Sequence, residues 1–138
     1  MSDWLVPYLS FNGNCEAAVR FYQSVLGGEV TIMHFGDAPP NPSFHVPDHI
    51  KNLVLHAELR KDGHLIRFSD TSPDTLYNPG NNISFALEFD NKTETQTIFE
   101  ALAAGGKIDM PLQETFFSPL YGKCTDKFGV IWQVRCRE

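Results

Sequence analysis

His56 and Glu58 stand two residues apart in a stretch, Leu53 to Arg60, that reads as a strand. Alternate residues of a strand share a face, so this pair could bind a metal or move a proton. A plain polar strand face, continued by Arg60, fits the same letters, and both readings stand. His45 and His49 have the i, i+4 spacing of a helical metal pair, but Pro47 sits between them in a proline-rich stretch, which favours a loop pair on a mobile flap. His34 closes a strand candidate beside that loop, and His64 follows a turn glycine and reads as solvated. Cys15 falls in the first turn of a candidate helix, where the N-terminal partial charge can lower a thiol pKa and favour thiolate chemistry. No histidine is identifiable beside it, and small thiols are often simply packed. Cys124 and Cys136 suggest no role.

Phe116, Phe117, Tyr121 and Trp132 could form an aromatic wall that stacks a flat ligand, with Tyr8, Ser84, Glu88 and Gln133 as polar contacts from the opposite strands. Small-molecule pockets are mostly apolar with a few convergent polar groups. Alternation with Gln133 turns Trp132 towards the core, whereas Tyr121 and Phe117 lean towards the cleft. Asp126-Lys127-Phe128-Gly129 reads as a structural turn between the last two strands.

The elements that must position these residues follow from periodicity. Ala18, Phe21, Tyr22, Val25 and Leu26 recur at helical spacing and predict an amphipathic helix from about Asn14 to Leu26. Asn14 or Asn12 is its expected cap, and Gly27 its left-handed terminator. A second helix is expected from the capping-box pattern Thr93-Glu94-Thr95-Gln96, with Ile98, Phe99 and Leu102 on one face and an end at Gly105-Gly106. Strands are expected at Trp4–Phe11, Glu29–Phe35, Leu53–Arg60 and His64–Asp70, then at Ile83–Phe89, Lys107–Phe117, Tyr121–Thr125 and Val130–Arg135. Ile83, Phe85, Leu87 and Phe89 make the packed face of the fifth. Lys61-Asp62-Gly63 marks a hairpin.

The order is therefore β-α-β-β-β, twice, and the letters repeat with it. Phe11-Asn12 matches Phe89-Asp90, Phe21 matches Phe99, and Gly27-Gly28-Glu29-Val30 matches Gly105-Gly106-Lys107-Ile108. Two copies of about 60 to 70 residues are too few for a solenoid, so each half must bury its own helix on one sheet face. Module one spans about residues 1–71 and module two about 83–138, with 72–82 as linker, in one domain of 138 residues.

Composition sets the outer limits. Eleven Lys and Arg against 17 Asp and Glu give a net charge of −6, with no basic stripe to displace counterions from a phosphate backbone, so nucleic acid is not an expected partner. No run approaches the ~18 apolar residues of a spanning helix, and the N-terminus does not read as a secretory signal; no membrane is expected, and the expected location is cytoplasmic. Three cysteines without a CxxC spacing read as free thiols.

Phe11-Asn12-Gly13-Asn14-Cys15-Glu16-Ala17-Ala18 with Phe21-Tyr22 and Gly27-Gly28, then His56-Ala57-Glu58-Leu59 and Ser69-Asp70, precede a longer motif. That motif is Met110-Pro111-Leu112-Gln113-Glu114-Thr115-Phe116-Phe117, Tyr121-Gly122 and Thr125-Asp126-Lys127-Phe128-Gly129-Val130-Ile131-Trp132. Together they resemble the PhnB-like branch of the vicinal-oxygen-chelate superfamily, which includes glyoxalase I, bleomycin-resistance proteins and extradiol dioxygenases. The resemblance implies an α+β glyoxalase-like fold: tandem βαβββ modules forming a curved, mixed, half-barrel sheet with helices on its convex side, usually as a homodimer.

In the superfamily's metalloenzymes four His, Glu or Gln side chains, two per module, hold a divalent ion. The matching positions here are Pro7 or Tyr8, Arg67 or Ser69, Ser84 and Gln133. Proline has no donor, arginine repels a cation and serine is a poor ligand, so only Gln133 suits. A small-molecule-binding protein with no cofactor, its reaction unknown, is therefore expected. Two alternatives stay open: a divalent-metal-dependent lyase or dioxygenase with other ligands drawn from His56, Glu58 and Gln133, and a sequestering protein that needs no catalytic group. Whether the chain is an enzyme is left open. The branch has also carried a demethylubiquinone-methyltransferase label, but a doubly wound methyltransferase needs a glycine-rich turn after its first strand, where this chain has Gly13 alone.

Overall fold

The computed structural model describes residues 4–39, 46–72 and 76–137. They belong to two compact units that meet between Tyr77 and Asn78. Module one runs β1 (Tyr8–Phe11), α1 (Cys15–Leu26), β2 (Glu29–His34), β3 (Val54–Lys61) and β4 (His64–Asp70). Module two runs β5 (Phe85–Phe89), α2 (Lys92–Ala103), β6 (Lys107–Thr115), β7 (Ser118–Thr125) and β8 (Ile131–Cys136). The sheets have the orders β1-β4-β3-β2 and β5-β8-β7-β6, each with one parallel pair, β1 with β4 and β5 with β8. This is the duplicated βαβββ order that the sequence implies, in the α+β class. No helix among the described residues is long and apolar enough to cross a membrane.

Period-2 burial explains how each sheet is used. In β8, Trp132, Val134 and Cys136 are buried and Ile131, Gln133 and Arg135 lie on the opposite face. In β3, Ala57 and Leu59 enter the core, which leaves His56, Glu58 and Arg60 on the other side. The buried face of each sheet receives its own helix. Tyr22 of α1 stacks on Phe68 of β4 with centroids 6.0 Å apart, and Phe99 and Leu102 of α2 are buried in module two. Asp62 and Gly63, both at positive φ (52° and 83°), make the primed two-residue turn that joins β3 to β4.

Several boundaries differ from the sequence reading. The first strand covers only Tyr8–Phe11, and Trp4 and Leu5 are exposed, since nothing in β4 before Arg67 pairs with them. The fifth begins at Phe85, and Ile83 is 71% exposed rather than packed. Thr115 pairs with Ser118, so Phe116 and Phe117 form a hairpin tip and β7 starts three residues earlier than expected. Asn14 makes no side-chain cap to α1; the Asp70 carboxylate accepts from Gly13 N (2.8 Å) and Cys15 N (3.0 Å) instead. Helix α2 is capped by Asn91, which accepts from Glu94 N at 2.7 Å, and not by Thr93. Gly27 does have positive φ (81°), but its ψ of −168° is extended, not left-handed helical.

Candidate functional site

The helix-free face of module one carries a row set by register: Tyr8 opposite Arg67, Arg67 opposite Glu58, and Glu58 opposite Thr31. Glu58 is the hub. One carboxylate oxygen lies 3.2 Å from His56 Nε2 and 3.3 Å from Arg67 Nε, and the other accepts from Arg60 at 3.3 Å. The His56 bond, with Arg60 and Arg67 adding to it, holds the Glu58 carboxyl below the usual carboxylate range. Tyr8 lies beside His56, ring centroids 6.3 Å apart. His56, Glu58 and Tyr8 are thus brought together, and the carboxylate is occupied by cations.

Module two presents a different face. Tyr121 Oη donates to Gln133 Oε1 at 2.8 Å, and Gln133 Nε2 donates to Ser84 Oγ at 2.8 Å. Phe117 stands edge-on to Tyr121 at 5.0 Å and beneath the Arg135 guanidinium at 5.8 Å. Ser84, Phe117, Tyr121 and Gln133 therefore form one connected group. Glu88 lies opposite Arg135 in register, but its carboxylate is 3.4 Å from Arg137 Nε. Phe116 is fully exposed at the hairpin tip, and Trp132 is 1% exposed, in the core.

The remaining candidates separate. His45 lies outside the described residues, and His49 sits in a short 3-10 turn, Asp48–Ile50. Cys15 is fully buried; burial first, then Asp70 and Glu16, push its thiol up to about 12, the reverse of helix-terminus activation. Burial likewise pushes Cys124 up to about 11. His34 joins Glu16 at 2.7 Å and Asp37 at 3.3 Å, and chiefly the Glu16 bond raises its pKa. That cluster and the cations Lys123 and Arg135 were not among the expected site residues. Alternation with Trp132 was the available signal for Arg135, whereas the partners of His34 come from a helix and a turn that no local pattern joins.

The comparisons with known proteins agree over nearly the full length. A family model described as 3-demethylubiquinone-9 3-methyltransferase matches residues 3–135. The chain belongs to this PhnB-like family. It is 39% identical to Protein YjdN of Escherichia coli K12, over 94% of this chain and 92% of that protein. Among solved structures, PA1353 from Pseudomonas aeruginosa is 39% identical with a TM-score of 0.89, covering 99% of this chain and 98% of that one. A Bacillus cereus PhnB protein, itself called a putative 3-demethylubiquinone-9 3-methyltransferase, is 27% identical with a TM-score of 0.76, over 97% and 99% of the two chains. A Frankia glyoxylase/bleomycin resistance protein/dioxygenase domain, 17% identical with a TM-score of 0.63, shows the shared fold. The glyoxalase-like architecture of the PhnB-like family is thereby established for this chain.

The metalloenzymes of that superfamily hold a divalent cation, and the residues at the matching positions here do not fit one. Arg67, which with Ser69 is one of the two residues matching the second ligand position, is already held against Glu58. Gln133 has its oxygen bonded to Tyr121 and its nitrogen to Ser84. Among the described residues no group of three His, Cys, Asp or Glu is arranged to hold a metal ion.

Proposed function

We propose that this PhnB-like protein binds a small organic molecule on the helix-free face of module two, without a divalent cation. One observation carries the reading: the Tyr121–Gln133–Ser84 chain fixes the orientation of the one side chain suited to a metal and leaves the Ser84 hydroxyl proton as a donor at one end of the chain, with the Phe117 ring against Tyr121 at the other. A flat molecule can lie against Phe117 and Tyr121 while a polar edge meets Ser84. On module one, His56, Glu58 and Tyr8 supply a second polar face whose carboxylate is neutralised by arginines. The methyl transfer named in the family's description is not carried over, because neither mixed four-stranded sheet is the doubly wound sheet that nucleotide cofactors use. The reading extends to a cytoplasmic homodimer: three buried free cysteines suit a reducing compartment, and sheet edges give a motive for pairing. Light scattering at micromolar concentration tests the dimer.

The binding reading is tested by titrating 2-naphthoate and 2-naphthamide into 15N-labelled protein, before and after chelation with EDTA. Shifts confined to residues around Ser84, Phe117, Tyr121 and Gln133 that survive chelation are expected. Absence of shifts there for both compounds at millimolar concentration, or shifts that require added Mn2+ or Zn2+, would overturn it. Tyr121→Phe should weaken binding about three- to tenfold by freeing the Gln133 amide.

A further inference from the structure

The helix-free face of module two carries two cations with no anionic partner among the described residues. No hydrogen bond or ion pair joins the Arg135 side chain to any described residue, and its Nε is buried without an acceptor. Glu88, its register neighbour, is turned to Arg137. Lys123, opposite Gln133 on the neighbouring strand, likewise has no carboxylate partner among the described residues. Module one answers the same question differently. Its Arg67, at the register position that Gln133 holds in module two, has Glu58 within 3.3 Å. Both faces carry an arginine whose Nε is buried without a hydrogen bond, and only in module one does a carboxylate stand within ion-pair distance of it among the described residues.

A guanidinium left unneutralised in a partly buried place is costly unless something else offsets its charge, and a carboxylate meets its fork with paired N–H donors. Here the guanidinium also lies over Phe117, so a ligand anion at Arg135 would have an aromatic edge directly beside it. We propose that module two selects an aromatic carboxylate: the carboxylate between Arg135 and Lys123, the ring against Phe117 and Tyr121, and the Ser84 hydroxyl donating to a ring substituent. This rests on the binding reading above and adds the charge of the ligand to it.

The test separates the two. In the same titration, 2-naphthoate should bind at least about tenfold more tightly than the neutral, nearly isosteric 2-naphthamide, the size of a lost charge-assisted hydrogen bond. Arg135→Gln should abolish that preference while 2-naphthamide binding is kept, and Lys123→Gln should reduce it by a smaller factor. The difference should shrink as salt is raised. Equal affinities for the two probes at this face would overturn the anion assignment and leave the binding reading standing, whereas binding of neither would end both. A preference that persists in Arg135→Gln, or naphthoate shifts that map to Arg60 and Arg67, would also overturn it.

Discussion

In module one the buried Asp70 carboxylate accepts from Gly13 N, Cys15 N and, at 2.9 Å, Val54 N, tying together the entry to α1, the start of β3 and the end of β4. In module two the buried carboxylate is Asp126, and its partners are near in sequence: Phe128 N at 2.8 Å, Val130 N at 3.1 Å and Trp132 Nε1 at 2.8 Å. The position equivalent to Asp70, the end of β8 opposite Phe89, is Cys136. Each module thus has a buried carboxylate anchor, but the duplicated topology does not dictate its place: module one uses it for long-range closure and to cap its helix, and module two uses it in a turn and caps α2 locally through Asn91.

The largest expected effect comes from removing the two anchors. Asp70→Ala strands two donors that are buried outright and should cost about 4 kcal/mol, whereas Asp126→Ala strands one buried indole N–H and two amides that water can reach, for about 2–3 kcal/mol. Urea denaturation followed through amide cross-peaks of each module checks this. Equal losses, or a loss from Asp70→Ala confined to the α1 entry, would break the distinction between long-range and local anchoring.

Where the modules are alike, the effects should match. The second glycine of each Gly-Gly pair passes close to a neighbouring strand: a Cβ on Gly28 would lie 2.6 Å from the Arg60 carbonyl oxygen, and one on Gly106 would lie 2.2 Å from that of Thr125. Both contacts are with backbone, which cannot rotate away, and Gly28 also has a φ of 99°. Gly28→Ala and Gly106→Ala should each cost about 2–3 kcal/mol, read as a fall in the urea midpoint. A tolerated alanine at either site would show that the repeated glycines are a remnant of duplication with no present steric role.

The anchors also explain what the sequence could disclose. Repeated letters such as Phe21 and Phe99, with period-2 alternation in Trp132, Gln133 and Val134, record burial, which acts on every residue of an element, so the βαβββ order and the face of Gln133 were legible. Asp70 was not legible as a cap, because its three donors are brought to it only by folding. The pattern Thr93-Glu94-Thr95-Gln96 misled by two residues, since the helix already starts at Lys92 and Asn91 accepts from Glu94 N in the first turn. In the candidate site, the strand-borne pair His56 and Glu58 could be read from spacing, while the Tyr121–Gln133–Ser84 chain links β7, β8 and the residue just before β5, which only the register brings together.

The smallest expected effect belongs to module one alone. Both ring nitrogens of His34 face carboxylates, Glu16 at 2.7 Å and Asp37 at 3.3 Å, so the imidazolium can donate twice; Arg20, 3.6 Å from Glu16, joins the cluster. The Glu16 bond, with Asp37 adding to it, raises the His34 pKa from 6.5, and the His34 bond lowers that of Glu16 from 4.5. A raised histidine value contributes fully below pH 6.5 and fades as pH climbs through the folded value; a lowered carboxylate value contributes above pH 4.5 and fades as pH falls through its own. The two overlap between pH 4.5 and 6.5. Solvent around these half-exposed side chains screens the pair to about 0.5–1 kcal/mol. His34→Gln should therefore destabilise by that amount at pH 5.5 and by clearly less at pH 9, and Glu16→Gln should remove the same pH dependence. Cross-peaks of module two should not report it. A penalty for His34→Gln that is constant from pH 5.5 to pH 9 would mean that the histidine stabilises module one through packing, and the electrostatic contrast between the modules would then reduce to the placement of Asp70 and Asp126.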